Sequence, residues 1–271
     1  MPYILTKVVA GITTEIFKNY SGRYGAKIIN SPKEKESPEK LKNYQDKVAE
    51  RKCRWLINTN FKFGDLWMTL TYPAWTRPTS EKARKDIDKF LKNCRRYYKR
   101  AGQIFKYIMT AGRTSRGAVH FHFVINKFDL EKISSIWWSI AGNEKTPCPK
   151  VDYRVLDNTG QYNKIAAYLI KNSKETFWSE DRIHSKHFCA SKNLEQPTIT
   201  KEIIGSSAWR KEPKAPKGYY IDKNTIHNGI NEMGYQCQHY TLVKINNHYR
   251  PKKEKRKNDR SKINYSKNNS M

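Results

Sequence analysis

The run VHFHFVI at residues 119–125 constrains the fold more than any other segment of the sequence. Its β-branched and aromatic residues are typical of a buried strand. Because successive side chains of a strand point to opposite faces, Phe121 and Phe123 share one face, and His120 and His122 share the other. Such a strand requires a sheet that packs on helices with its apolar face and carries a pair of imidazoles on the opposite face.

The flanking residues supply the other elements of such a sheet. Alternating apolar and aromatic residues predict strands, and apolar residues at helical spacing predict helices. The predicted strands span residues 66–72, 104–110, 119–125 and 151–156, and the predicted helices span residues 80–99, 129–140 and 161–172. This β-α-β-β-α-β order is that of the split βαβ arrangement. We therefore predict an α+β fold in which an antiparallel sheet is covered by helices on one face, leaving the other face free for a site.

The regions on either side of residues 55–174 are less patterned. Residues 1–54 are predicted to be an N-terminal arm or small flanking region, with a solvated loop or mobile arm at residues 30–43. Residues 175–249 are predicted to be a C-terminal extension, for which the sequence predicts no particular fold. Residues 250–271 contain nine Lys or Arg against two Asp or Glu, and they are predicted to be a disordered basic tail.

The charge of the chain indicates its class of partner. There are 53 Lys and Arg against 25 Asp and Glu, which gives a net charge of +28. Such a charge predicts a polyanionic partner, with nucleic acid as the first candidate and an anionic membrane surface as the second. No apolar run is long enough to span a bilayer, and the five scattered cysteines favour a reduced, cytoplasmic setting. The basic residues predicted to contact DNA are Lys85, Lys89, Lys92, Arg95, Arg96, Lys99, Arg100, Arg113 and Arg116.

Two pairs of residues have the chemistry of a catalytic site. His120 and His122 lie within reach of one metal ion, although two surface histidines on an open sheet would show the same pattern. Tyr168 and Lys171 share a helix face, although a packed tyrosine beside a solvated lysine would also fit. A phenol with a pKa near 10 needs a cation or a base before it acts as a nucleophile. Together the pairs suit phosphodiester chemistry, in which a metal polarises the phosphate and the tyrosine attacks it.

With these residues, the chain resembles the HUH endonucleases, specifically the replication-initiator (Rep) proteins of rolling-circle plasmids, phages and integrative elements. It looks most similar to the Rep-associated proteins of Gram-positive bacteria and their mobile elements. The segments that carry the resemblance are LWMTLTY (66–72), HFHFVI (120–125) and AAYLIK (166–171). The resemblance covers about residues 66–174, and on this basis we predict an HUH domain at residues 55–174.

The resemblance implies an activity and a set of roles. It implies metal-dependent nicking and strand transfer on single-stranded origin DNA, with a 5′-phosphotyrosine intermediate and a free 3′-OH that primes synthesis. Tyr168 would be the nucleophile, Lys171 its electrostatic partner, and His120 and His122 the ligands of Mg²⁺ or Mn²⁺. A host helicase and a replicative polymerase would be the partners, because the sequence has no G-x-x-x-x-G-K-[ST] motif.

One departure from the family pattern concerns the third metal ligand. Relatives usually carry a Glu near the end of the second strand, whereas this sequence reads TAGRTSRG at residues 110–117 and has Gly112 at that place. Asp65 could supply the missing carboxylate, substrate phosphate could complete the shell, or the protein binds metal weakly and cuts poorly. The departure keeps open a DNA-binding regulator of a mobile element that does not cut. A relaxase or transposase of the same HUH type is the other alternative.

Overall fold

The computed structural model of the protein describes residues 3–21, 37–142, 149–206, 209–231 and 234–245. The predicted basic tail at residues 250–271 lies outside these residues, as does the first half of the predicted loop at 30–43. Within the described ranges, no helix combines the length and the apolar character that a membrane span requires.

The described residues form ten strands and four helices. In chain order they are β1 (Tyr3–Ala10), β2 (Thr13–Tyr20), α1 (Pro38–Asn60), β3 (Leu66–Thr71), α2 (Ser80–Arg100), β4 (Tyr107–Arg113), β5 (Val119–Ile125), α3 (Leu130–Ala141), β6 (Lys150–Val155), α4 (Asn163–Trp178), β7 (Cys189–Ala190), β8 (Thr198–Ile204), β9 (Tyr219–Ile230) and β10 (Gln236–Lys244).

The first sheet has the strand order β6-β3-β5-β4-β7, with every pair antiparallel. Its first four strands and helices α2 and α3 follow the predicted β-α-β-β-α-β order, so the α+β class is confirmed. Strand β5 has the predicted bounds, whereas β4 lies three residues further along the chain than predicted and α4 continues to Trp178. The short β7 extends the sheet at its β4 edge.

Helices pack on both faces of the first sheet, not on one face as predicted. Phe121 and Phe123 are buried against α2 and α3, where Trp137 is also fully buried. On the histidine face, Ile108 and Val124 are buried against α1 and α4. The prediction was wrong here because these two apolar positions on the second face also need cover, and α1 comes from a region for which no helix was predicted.

The second sheet joins the two ends of the chain, with the strand order β8-β1-β2-β10-β9. Residues 1–54 therefore contain a β-hairpin and most of a 23-residue helix, and residues 175–249 contain the other three strands of the second sheet. Helix α1 begins at Pro38, where the Ser37 hydroxyl accepts a hydrogen bond from the Lys40 N–H at 3.3 Å. Residues 38–43 are thus helical, and the predicted solvated loop was wrong for this part.

Polar contacts fasten the second sheet to the helices of the first. Arg54 on α1 donates two hydrogen bonds to Glu15 on β2, at 2.9 and 2.6 Å. The buried Asn58 donates to Thr13 Oγ1 at 3.0 Å and accepts from the Tyr162 N–H at 3.0 Å. Because Tyr162 immediately precedes α4, Asn58 fixes the start of that helix against the second sheet.

Candidate active site

The two histidines lie side by side on the α4 face of the first sheet. Their ring centroids are 4.8 Å apart. His122 lies between Thr69 on β3 and Thr110 on β4, and His120 lies between Thr71 and Gly112. The alternation predicted from the sequence thus places both imidazoles on the face that α1 and α4 cover.

A threonine orients His122. Thr69 Oγ1 lies 2.9 Å from His122 Nδ1. With Nδ1–H donating to the hydroxyl, the lone pair resides on Nε2, which is buried and has no hydrogen-bond partner among the described residues. Burial, together with the neighbouring His120, lowers the pKa of His122 to about 4, so the ring is neutral at pH 7. This is the state that a metal ligand requires.

Helix α4 places Tyr168 directly over this pair. The Tyr168 ring packs edge to face against the His122 and Trp67 rings, with ring centroids 5.0 Å and 5.1 Å apart, respectively. The side chain remains 39% exposed, so it is held by aromatic contacts and still open to a large substrate. Lys171 lies on the same helix face one turn further on and is exposed. The structure therefore brings the predicted nucleophile to the histidine pair, and helix spacing puts Lys171 on the face of α4 that carries Tyr168.

Gly112 allows α4 to approach the sheet. A β-carbon at this position would overlap His120 Nε2 and lie 2.7 Å from the Asn172 carbonyl oxygen of α4. Any side chain here would displace the His120 ring or the helix that carries Tyr168. The present packing therefore has no room for a glutamate side chain at the place where the family resemblance leads us to expect one.

Asp65 does not join the histidines. Its carboxylate accepts hydrogen bonds from the Lys62 N–H at 2.8 Å and from the Lys127 N–H at 2.9 Å. Asp65 immediately precedes Leu66, which pairs with Ile125, three strand residues or roughly 10 Å from His122 at about 3.3 Å per residue. The structure thus disagrees with Asp65 as the third ligand, because this buried carboxylate fastens the loops at the far end of β3.

The donor set fits a divalent metal ion in part. His122 Nε2 and Thr110 Oγ1 are buried polar atoms without hydrogen-bond partners among the described residues, and the strand register makes the two residues neighbours. An ion or a water molecule bound to it could satisfy both atoms. Over the same ranges, no group of three His, Cys, Asp or Glu side chains is close enough to hold a metal. Two imidazoles alone suit a hard divalent ion such as Mg²⁺ or Mn²⁺ poorly, so such an ion would need further oxygen ligands from water or substrate.

Comparison with known families adds to this geometry. The model of the family described as replication-associated protein ORF2/G2P matches residues 65–177. Residues 65–177 are thus similar to that family, and we call them the replication-associated region. Neither the curated proteins nor the solved structures contain a significant match to the chain.

The match covers the first sheet from β3 to β6 with α2, α3 and nearly all of α4. This replication-associated region contains Tyr168, Lys171 and both histidines. The second sheet and α1 lie outside it. The match thus includes all four candidate site residues and does not extend to the second sheet.

Most of the basic residues predicted to contact DNA lie away from the site of the replication-associated region. Seven of them project from α2, which packs on the sheet face opposite the histidines, and all seven are exposed or partly exposed. Lys85 pairs with Glu81 at 2.7 Å. Arg113 donates to Ser80 Oγ at 2.9 Å and to the carbonyl oxygens of Pro78 and Gly117. Arg116 is exposed in the β4–β5 turn, at the His120 end of the sheet.

Sequence reasoning missed the open surface beside Tyr168. Helix α4 lies over β4 at Gly112, whereas β3 and β6 carry partly or fully exposed side chains on the same face. Arg154 lies over the Trp67 ring at 5.7 Å, and Lys150 pairs with Asp152 at 3.2 Å. The alternation in LWMTLT and KVDYRV carries the signal, because it places Trp67 and Arg154 on the histidine face. We call this surface, formed by Trp67, Thr69, Thr71, Lys150, Asp152 and Arg154, the β3–β6 floor.

Proposed function

We propose that this protein is a site-specific single-strand DNA endonuclease and strand transferase that initiates rolling-circle replication. The observation that carries the proposal is the placement of Tyr168 against His122, inside a region of the replication-associated family. The Tyr168 ring contacts the neutral His122, and its edge is open to solvent. Such a tyrosine can attack a phosphodiester of DNA, which is too large to enter a closed pocket.

The residues divide the chemistry among them. His120 and His122 would hold Mn²⁺ or Mg²⁺, which when bound would stabilise negative charge on the phosphoryl oxygens. Tyr168 Oη attacks phosphorus and loses its proton to water, while the bond from phosphorus to the 3′ oxygen breaks. The leaving oxygen takes up a proton, so the products are a 3′-OH end and a 5′-phosphotyrosine. Lys171 stabilises the developing phenolate by its positive charge.

The β3–β6 floor supplies a path for the substrate strand. The Trp67 ring offers an aromatic surface for a base, and Arg154 and Lys150 offer cations for phosphates. The floor runs past the exposed edge of Tyr168, so a strand lying on it passes the nucleophile. The exposed arginines and lysines of α2 would add a second, longer-range attraction from the opposite side of the sheet.

Other steps of replication would fall to other proteins. The 271 residues contain no G-x-x-x-x-G-K-[ST] motif, so we assign unwinding to a host helicase. The 3′-OH that nicking releases would be extended by a replicative polymerase. Both partners act in the cytoplasm, where we place this protein.

A second candidate function is a DNA-binding regulator that does not cut. The observation that favours it is Gly112, which excludes the usual carboxylate, together with the lack of a three-ligand group among the described residues. A relaxase or a transposase would share the catalytic residues, and only its DNA substrate would differ.

Loss of the nucleophile tests the proposal. Purified protein is incubated with Mn²⁺ and single-stranded oligonucleotides from the replication origin of its element, and the covalent adduct is counted on a denaturing gel. Tyr168→Phe should abolish the adduct. Tyr153→Phe should leave it unchanged, because Tyr153 is a half-exposed residue on the other face of the sheet. Equal adduct from Tyr168→Phe would overturn the assignment, and tight binding without any adduct from the unmodified protein would favour the regulator.

A further inference from the structure

A groove on the second sheet lies outside the replication-associated region. It has a volume of about 750 Å³ and runs between β9 and the segment 210–217, which we call the basic segment. Its charged lining residues are Lys211, Glu212 and Lys223, and its apolar and aromatic ones include Pro213, Tyr219, Ile221 and Ile226. The groove thus combines an apolar and aromatic floor with two lysines and one glutamate.

The basic segment is held in place as a wall of the groove. Gln238 Nε2 on β10 donates to the Arg210 carbonyl oxygen at 2.8 Å and to that of Lys211 at 3.2 Å. At the other end of the segment, the Tyr219 N–H donates to the Pro216 carbonyl oxygen at 3.1 Å. A segment fastened at both ends loses little conformational freedom when a ligand binds.

The charge of the wall is unbalanced. The sequence RKEPKAPK at residues 210–217 has four basic residues and one acidic residue. Lys211, Lys214, Lys217 and Lys223 are exposed, and in the part of the chain that the structure describes none of them pairs with a carboxylate. Nearby on the same sheet face, Lys18 lies over the rings of Trp209 and Tyr240, at 5.8 Å from each.

We propose that this groove binds single-stranded DNA, with bases on the apolar floor and phosphates on the lysines of the wall. Aromatic side chains that stack bases beside cations that track phosphates are the usual means of binding a single strand. A duplex does not fit this description, because its base faces are already stacked. The inference rests on the proposed function only in naming DNA as the strand.

The groove is connected to the nucleophile helix through β9. Tyr220 follows Tyr219 and points to the opposite face of the strand, where its hydroxyl accepts a hydrogen bond from Gln161 Nε2 at 2.7 Å. Gln161 lies two residues before α4, which carries Tyr168. A strand bound in the groove would therefore contact β9, the strand that holds the start of α4 through Gln161.

Charge removal tests the contribution of the wall. Binding of a labelled single-stranded oligonucleotide is measured by fluorescence anisotropy over a range of salt, in full-length protein that carries Tyr168→Phe to prevent cleavage. The triple variant Lys211→Ala, Lys214→Ala, Lys217→Ala should weaken binding about tenfold or more and reduce the slope of log affinity against log salt by about 2. The matched triple variant on α1, Lys40→Ala, Lys47→Ala, Lys52→Ala, removes the same charge and should change affinity less than about twofold.

Ring removal tests the floor separately. Tyr219→Leu keeps an apolar side chain and loses the flat ring, so affinity should fall about fivefold or more with an unchanged salt slope. Equal losses in the two lysine triples, or an equal loss of duplex and single-strand binding in the groove triple, would overturn the proposal. The adduct formed by Tyr168 is scored independently, so a protein that binds through the groove without nicking contradicts the proposed function and leaves this inference standing.

Discussion

The first sheet draws four of its five strands from residues 66–155, whereas the second sheet draws its strands from residues 3–20 and 198–244. The first sheet is packed by helices on both faces around fully buried aromatic residues such as Phe121 and Trp137. The second has a small apolar cluster centred on Ile16, Tyr240 and Leu242, and it joins the helices largely through hydrogen bonds and one ion pair.

Apolar packing therefore stabilises the first sheet, whereas polar contacts position the second sheet against the helices. The first sheet is held by apolar packing on both faces, and its histidine face also carries polar groups between the apolar positions. The second sheet closes late in the chain, because β1 and β8 are nearly two hundred residues apart in sequence. Its polar joint places the start of α4, so we expect its disruption to affect both stability and the position of Tyr168.

The largest expected effect is at the centre of the first sheet. Trp137→Ala removes a fully buried ring and should lower the free energy of unfolding by about 3–5 kcal/mol, as measured by urea denaturation. The neighbouring Trp138 is 48% exposed, and Trp138→Ala should cost about 1 kcal/mol. Equal costs for the two variants would contradict the apolar core described for this sheet.

The ion pair of the second sheet should come next. Glu15 is almost completely buried, and Arg54→Met leaves its carboxylate without its main partner, at a cost of about 3 kcal/mol. Glu15→Gln in the same protein should restore most of the loss in a double-mutant cycle. Additive losses would show that Arg54 stabilises the joint by packing instead of by charge.

The same pair predicts how stability depends on pH. Burial raises the pKa of the Glu15 carboxyl, but the close His239 ring and the hydrogen-bonded Arg54 outweigh it, so the pKa lies below its usual value of 4.5. A carboxyl with a depressed pKa stabilises the folded state above about pH 4.5, and that stabilisation is lost as the pH falls through the folded-state value. Glu15→Gln should therefore flatten the loss of stability below about pH 4.5, and an unchanged slope would contradict this assignment.

Glycine positions sharpen the comparison between the sheets. Gly112→Ala in β4 should cost about 1–3 kcal/mol and reduce adduct formation, because the new β-carbon displaces His120 or α4. Gly229→Ala in β9 of the second sheet meets only Cys237 Sγ at 3.1 Å, and it should cost less than about 1 kcal/mol. Full adduct formation by Gly112→Ala would show that the close approach of α4 is not needed.

The smallest expected effect on stability comes from a residue that orients His122. Thr69→Val removes the oxygen that His122 Nδ1 contacts, and it should weaken Mn²⁺ binding about 10–100-fold with little effect on stability. Thr71→Val changes the next residue on the same strand face and serves as the matched control, measured by calorimetry. Equal weakening by the two variants would mean that the hydrogen bond has no specific role.

The sequence predicted four of the five strands of the first sheet. VHFHFVI and LWMTLTY carry a two-residue period that places His120 and His122 on one face, and AAYLIK lies on a helix, but the family resemblance was needed to bring Tyr168 to the histidines. The spacing of Tyr168 and Lys171 puts both on one helix face. The alternation in β6 was also readable, and it would have identified Arg154 as part of the site.

The remainder could not be read from the sequence for physical reasons. Strands β1 and β8 pair across the length of the chain, and no local pattern reports such a partner. The basic residues of α2 have the charge that DNA contact requires, but their distance from the site depends on which face of the sheet the helix packs against. Asp65 was chosen for its chemistry, whereas its hydrogen bonds to Lys62 and Lys127 are set by loop geometry.

The most direct test of the account is to identify the residue that becomes linked to DNA. The covalent adduct formed with single-stranded origin DNA and Mn²⁺ is digested with protease and nuclease, and the modified peptide is sequenced by mass spectrometry. We predict a nucleotide phosphate on Tyr168, lost when the metal is chelated before the reaction. A nucleotide on any other tyrosine would contradict the assignment of Tyr168 as the nucleophile.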